Sequence, residues 1–241
     1  SIISIQDDNE IIKGDFNNIN KKNENDFEFF IDFETSENIN ELNTTYPKMK
    51  YNNYIYLIGI GWIQNKKWNY KYFISDNLSL ESEKKLVNEW ILFIQNKILI
   101  NNKKNIILYH WGHAEKNLIN LYIEKHNILE KELHILNSLN WKDLCLITKK
   151  NKIRIKGSLN YGLKNIANSL YKNNLIETKW PDDNIDGMHA LIEGYNANNL
   201  VSDTVKMEDN LKNIIPYNEV DCKVLYEIIE LYRQYKTNFI K

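Results

Sequence analysis

Two carboxylates stand two residues apart in the run Phe30-Ile31-Asp32-Phe33-Glu34-Thr35. Alternate side chains of a strand share a face, so Asp32 and Glu34 point one way while Ile31 and Phe33 point the other. Two acids side by side on so apolar a strand are costly to bury unless a cation neutralises them. Hard divalent ions take such oxygen ligands, and Mg²⁺ combines one or two carboxylates with substrate phosphate. The competing reading is a strand that ends in solvent at Glu34, and the pair alone does not decide between the two.

A second constellation lies near the C-terminal end, where Tyr217 and Asp221 are four residues apart. On a helix that spacing stacks them on one face. An acid beside a phenol suits metal ligation with a neighbour that orients or deprotonates a water, although such pairs also occur on solvated faces. Glu115 is expected in the first turn of a helix that follows a strand, where an acid also simply favours the helix dipole. Asp143 is the alternative third acid, set against a role as a turn or strand-end residue. His110, His113 and Glu115 form an H-x-x-H-x-E string, but a strand-to-helix turn scatters such side chains and no further Cys or His cluster supports zinc.

These residues need elements to bring them together. Residues 27–34 read as a buried strand, and residues 54–64 and 68–74 as two more, joined as a hairpin at Asn65-Lys66-Lys67. Over residues 79–98, Leu86, Trp90, Phe93, Ile94 and Ile98 recur at helical spacing, with Ser79 as cap. A strand at 105–110 and a helix at 113–127, with Leu118, Leu121 and Tyr122 on one side, continue the order. Residues 141–148 are expected as a strand, 158–171 as a helix capped by Ser158, and 187–198 as a helix. The last helix starts around Pro216, which a first turn tolerates, and carries Val220, Val224, Leu225, Ile228, Leu231 and Tyr232 as an apolar stripe. The order predicts an α/β fold with a mixed central sheet, three antiparallel strands followed by parallel additions, flanked by helices.

The chain's 241 residues suit one domain, expected over 26–241, with the polar residues 1–25 as a loosely ordered lead-in. With 31 Lys and Arg against 32 Asp and Glu, no global field draws in a polyanion, so such a substrate must be held locally. Cys145 and Cys222 form no C-x-x-C, which suits a reducing, intracellular setting, cytoplasmic or nuclear. The longest apolar stretch, residues 54–62, is half the length of a membrane helix, so no membrane association is expected. The chain begins Ser1-Ile2-Ile3 without Met or a cationic leader, which suits a piece of a longer polypeptide. P-loop, zincin, nucleophile-elbow and dinucleotide fingerprints are all missing from the sequence.

Together the motifs carry a resemblance. The run from Phe30 to Thr35 resembles the first motif of the DEDD 3′–5′ exonucleases, and Tyr217-Asn218-Glu219-Val220-Asp221 resembles their last motif in its tyrosine form. Tyr56-Leu57-Ile58-Gly59-Ile60-Gly61 is similar to the second strand of one branch, the RNase H-like nucleases found beside RecB-type or helicase modules. In that branch the middle motif looks like Tyr109-His110-Trp111-Gly112-His113-Ala114-Glu115-Lys116, and a later segment like Ser158-Leu159-Asn160-Tyr161-Gly162-Leu163-Lys164. Most DEDD enzymes have Asp where Glu115 stands, whereas this branch often shows Glu.

The resemblance, which covers about residues 27 to 235, implies an RNase H-like fold and a metal-dependent 3′–5′ exonuclease, with a role in DNA repair or replication. Its substrate would be the 3′ end of single-stranded DNA or RNA, and its cofactors two Mg²⁺ or Mn²⁺ ions held by Asp32, Glu34, Glu115 and Asp221, with Tyr217 positioning the water. It also implies a helicase or another nuclease domain in the same polypeptide or complex. Thr35, Trp111, Lys116 and Lys164 are candidates for gripping the strand through phosphates and base stacking. The connection from Ser36 to Asn53, with Tyr46 and Tyr51, is a candidate cover for its end. Two rivals stay open: a degenerate module that binds nucleic acid or a protein partner without cutting, and a structure-selective endonuclease on the same fold.

Overall fold

The computed structural model describes residues 11–19, 21–37, 53–103, 105–181, 187–202 and 206–238. The connection that carries Tyr46 and Tyr51 lies outside the described residues. A two-residue strand β1 (Ile12–Lys13) is followed by β2 (Asp26–Glu37), β3 (Asn53–Gln64) and β4 (Lys67–Ile74), rich in the aromatic and β-branched residues that fit a pleated surface. Then come α1 (Leu80–Asn101), β5 (Asn105–His110), α2 (Ala114–Lys125), α3 (Glu130–Ser138), β6 (Asn140–Asp143) and α4 (Leu144–Lys150). The chain ends in β7 (Arg154–Ile155), α5 (Leu163–Lys172), α6 (Gly187–Asn199) and α7 (Ile214–Asn238). The main sheet runs β4-β3-β2-β5-β6. Its first three strands are antiparallel, and β5 and β6 add in parallel, as expected.

Alternation along the central strand divides the core in two. Phe27, Phe29, Ile31 and Phe33 join one cluster with Leu86, Trp90 and Ile94 of α1 and Tyr122 of α2. Phe30, on the other face, packs with the α7 residues Val224, Leu225, Ile228 and Tyr232. Asp32 and Glu34 share the Phe30 face, so the acids look toward α7. The pairing of β2 with β3 slips between Glu34 and Thr35, because Glu34 faces Leu57 and Thr35 faces Ile55. Tyr56 is therefore the extra residue of a β-bulge. Its hydroxyl donates to the Ala190 carbonyl of α6 at 2.6 Å, and a Cβ on Gly194 would come within 2.3 Å of its ring. The neighbouring Ile55 N–H donates to buried Glu83 at 2.8 Å, and that carboxylate also takes Lys125 and His126 at 2.7 Å each.

Several local expectations change. Residues 141–148 are not one strand: β6 stops at Asp143, whose carboxylate accepts from Leu146 N at 3.0 Å and caps α4. Ser158 does not cap α5; its hydroxyl donates to the Asn160 carbonyl, and the helix starts later, after Gly162. Leu121 is exposed, whereas Ile119 and Tyr122 form the buried side of α2. Part of the lead-in expected to be loose is folded, since β1 pairs with β7 and Phe16 packs against the rings of Tyr232 and Tyr235. Ser79 does cap α1, accepting from Ser82 N. No helix among the described residues is long and apolar enough to cross a membrane.

The β3–β4 hairpin is tighter than the sequence suggests. Gln64 pairs with Lys67, leaving Asn65 and Lys66 as a two-residue turn with φ of 53° and 61°. Positive φ at both central residues is the type I′ pattern, whose preferred sequence is Asn-Gly. Lys66→Gly should therefore raise stability by roughly 0.5–1 kcal/mol, relief of the left-handed backbone outweighing the added freedom of the unfolded chain. Denaturant titration checks this, with an upward shift of the midpoint as the expected result.

Candidate active site

Strand β2 delivers Asp32 and Glu34, and the first turns of α7 deliver Tyr217, Asn218 and Asp221. One carboxylate oxygen from each of Asp32, Glu34 and Asp221 lies within 4.8 Å of the others. Glu34 and Asp221 are buried and Asp32 is half-buried. Burial, followed by the charges of Asp221, Glu34 and Glu115, pushes the Asp32 carboxyl well above its usual range. Burial raises Glu34 to about 7 even though hydrogen bonds with Asn218 and Asp32 pull the other way. Asp221 is also pushed well up, by burial and then by the charge of Glu34, against the opposing influence of Lys164, Tyr217 and Trp180. Without a cation such acids hold protons; with one they become ligands. Three carboxylates and no sulfur or imidazole form a hard donor set, which fits a divalent ion of the Mg²⁺ or Mn²⁺ kind.

Asn218 holds the two β2 acids in place. Its side-chain amide donates to Asp32 Oδ2 at 2.7 Å, and reaches the Asp32 carbonyl and Glu34 Oε1 at 3.3 Å each. Its own oxygen accepts from the Tyr70 hydroxyl at 2.9 Å. This contact needs α7 close to the sheet, and Gly59, which faces Asp32 across the β2–β3 pair, makes the room. A Cβ there would lie 1.6 Å from Asn218 Oδ1 and 2.9 Å from the Tyr70 hydroxyl. Gly61 likewise admits the Trp68 indole, 2.0 Å from a built Cβ, and that indole donates to Glu219 at 3.1 Å. Sequence reasoning passed over Asn218 and Gly59, although both lie inside the quoted motifs.

Tyr217 is buried one helical turn before Asp221, and burial, followed by the charges of Asp221, Asp32 and Glu34, holds its phenol far above the ordinary range. The ring lies under the Lys164 ammonium, 4.9 Å from nitrogen to centroid. Glu115 is buried in the first turn of α2 and paired with His110 Nδ1 at 3.1 Å. Its charge reaches Asp32 and Glu34, but its carboxylate is outside the group that closes within 4.8 Å. Asp143 is committed to capping α4 and to accepting from Gly112 N at 2.9 Å. His110 and His113 do not converge: the first is buried against Glu115, and the second is exposed with Asp143 at 3.7 Å.

Trp111 is half-buried and donates to the Tyr161 carbonyl at 2.9 Å, tying the β5–α2 turn to the loop before α5 and Lys164. Lys116 is exposed on α2. Thr35 is half-buried at the bulge and alternates to the opposite face from Glu34.

Comparison with known proteins agrees with the fold. Residues 29–233 match the family model of the RNase H superfamily. The chain belongs to the RNase H superfamily. No curated protein and no solved structure matches it. In this RNase H superfamily member the acid cluster is thus a candidate divalent-metal site on a nuclease-type fold.

The raised acids predict a pH dependence. Because Asp32, Glu34 and Asp221 bind protons more tightly when folded than in the unfolded chain, their contribution is stabilising at low pH. That contribution disappears as pH rises above the ordinary carboxylate range of about 4, through about 7 for Glu34 and through the raised values of Asp32 and Asp221. In chelator the melting temperature should fall between pH 5 and pH 8, and Asp221→Asn should flatten that fall and melt higher than wild type at pH 8. Saturating Mn²⁺ should restore wild type most at pH 8; equal pH profiles for wild type and variant would refute the crowding.

Proposed function

We propose that this protein is a 3′–5′ exonuclease that hydrolyses terminal phosphodiesters of single-stranded DNA or RNA with two Mg²⁺ or Mn²⁺ ions. The observation that carries the proposal is the convergence of Asp32, Glu34 and Asp221 within 4.8 Å, with Tyr217 one helical turn before Asp221 on α7. Asp32, Glu34 and Asp221 would hold the ions, and Glu115, oriented by His110, would complete the set. When bound, such ions supply Lewis acidity at a phosphoryl oxygen and lower the pKa of a coordinated water.

The protein's own groups supply placement. Asn218 fixes Asp32 and Glu34 relative to each other, so the ligand oxygens do not swing. Tyr217 stays a neutral phenol at working pH, so it orients a water by hydrogen bonding and does not act as the base that deprotonates it. Lys164 places a positive charge where a phosphate would approach the acids. Trp111 in the β5–α2 turn, Lys116 on the exposed side of α2 and Thr35 at the bulge of β2 would contact the strand. The 3′–5′ direction follows from the DEDD motif resemblance, and a helicase or further nuclease domain would act beside this one.

Asp32→Ala and Asp221→Ala should abolish cleavage while leaving the protein folded, since each removes a ligand and also a crowded charge. Tyr217→Phe should keep metal binding and slow hydrolysis by about a hundredfold, the effect of a misplaced reactant. The check is digestion of a 5′-labelled linear strand and its circular counterpart, in DNA and RNA, with Mg²⁺, Mn²⁺ or chelator. A metal-dependent ladder from the linear strand alone supports the exonuclease. Cleavage of the circle would make it an endonuclease, and no cleavage at all would make it a binding module.

A further inference from the structure

Charge is not spread evenly along the chain. Its 31 Lys and Arg and 32 Asp and Glu nearly balance, yet residues 144–176 carry seven of the cations and no acid. Five of the seven stand between Lys149 and Lys156, where α4 ends and β7 lies beside β1. Lys149, Lys150, Lys152 and Arg154 are all exposed, while Ile153 and Ile155 are buried. Lys13 stands opposite Arg154 in the β1–β7 register, and the half-buried Lys156 follows, its backbone N–H donating to the Ile11 carbonyl at 2.8 Å. Lys149 and Lys150 close α4, where cations suit the helix dipole. Lys152 and Arg154 lie beyond that helix, so the dipole does not account for them.

The chain has only two arginines. Arg233 is committed to ion pairs with Glu28 and Glu230. Arg154, like Lys150 and Lys152, makes no salt bridge among the described residues. A guanidinium in that state is suited to bidentate contact with a phosphate. The acid alongside is Asp15, whose N–H donates to the Asn151 carbonyl at 2.9 Å. Its carboxylate is turned to its own loop, accepting from Asn17 N at 2.9 Å and from the Asn18 amide at 3.3 Å. The basic surface is also continuous with the loop before α5. The Lys149 ammonium lies 5.7 Å from the Tyr161 ring centroid, the Tyr161 carbonyl accepts the Trp111 indole, and the same loop leads to Lys164 over Tyr217. That continuity favours a partner that also reaches the acids, a nucleic-acid strand, over an acidic protein or an anionic membrane.

We propose that Lys150, Lys152 and Arg154, with Lys149 beside them, form a second anchoring surface for nucleic acid, which grips the sugar-phosphate backbone of a strand away from the end held at the acids. None of these cations takes part in the acid cluster. The inference rests on the nuclease reading for its partner, but its chemistry, retention of a phosphate chain, is tested apart from turnover. Contacts of this kind go to phosphates, so the surface holds and positions a strand without reading its sequence. Two linked contacts on one strand make the second binding event intramolecular, so a long strand is retained while its end is worked on. A strand too short to span both surfaces gains nothing from the anchor.

The test is the triple variant Lys150→Gln, Lys152→Asn and Arg154→Gln, all at exposed positions; Asn tolerates the φ of 51° at residue 152. Binding of fluorescein-labelled single strands of about 30 and about six nucleotides is read by anisotropy in chelator, where nothing is cut, over a salt series. Affinity for the long strand should fall roughly thirtyfold at low salt, and the slope of log affinity against log salt should flatten by about two, the share of three phosphate contacts. Affinity for the short strand should not change, and with Mn²⁺ present KM should rise for the long strand alone, at constant kcat. Unchanged binding of the long strand overturns the inference. An equal loss on both strands does so too, since it places the defect at the acids or in the fold. Wild type that binds phosphatidylserine vesicles or polyglutamate but not the long strand likewise overturns it. Should the triple variant not fold, the Nε–H signals of the two arginines in ¹⁵N-labelled wild type serve. One must shift on adding the long strand and not the short one, and the absence of that shift overturns the inference. If wild type holds the long strand through these residues but cuts nothing, the nuclease reading fails and the anchor stands. If wild type cuts and the variant binds and cuts the long strand equally well, the anchor fails and the nuclease reading stands.

Discussion

Three carboxylates packed within 4.8 Å of one another, two of them buried, set the terms for everything around them. Each ionised acid raises the cost of ionising the next, and burial adds to that cost. The surroundings manage this crowding by position. Asn218 bridges Asp32 and Glu34, and Tyr70 fixes Asn218. Neutral donors of this kind hold the oxygens in place without neutralising them, which leaves the charge to be balanced by a cation.

That arrangement demands an unusually close approach of α7 to the sheet, and the close approach demands missing side chains. Gly59 yields its Cβ position to the Asn218 amide, and Gly61 yields its own to the Trp68 indole. On the neighbouring bulge, Tyr56 is directed into α6 at Gly194 and Ala190. The irregular pairing that turns Tyr56 is stabilised from the opposite face, where Glu83 accepts the Ile55 N–H and is itself paired with Lys125 and His126. Structure on one face of the sheet thus supports acid placement on the other. Glu227 does similar work along α7, fixing the segment that carries Trp180 through three hydrogen bonds.

What could be read in advance follows the range of the interaction. Asp32 with Glu34, and Tyr217 with Asp221, were legible because periods of two and four residues are local geometry. The antiparallel strands and the apolar stripe of α7 were legible for the same reason. The bridging role of Asn218 was not, because it depends on a residue 186 positions away, and Gly59 reads as an ordinary strand glycine until α7 is placed against it. Asp143 and Ser158 show the local limit: each is a plausible cap or strand residue, and tertiary packing decides which. Phe16 looked like part of a polar lead-in because its partners, Tyr232 and Tyr235, lie at the far end of the chain.

Divalent cations are what the crowding of Asp32, Glu34 and Asp221 calls for. The most direct measurement is anomalous diffraction from crystals grown with Mn²⁺, which locates the ion without relying on activity. The expected result is a peak bounded by the carboxylates of Asp32, Glu34 and Asp221. A map with no peak there, the acids still joined to one another and to Asn218, would contradict it.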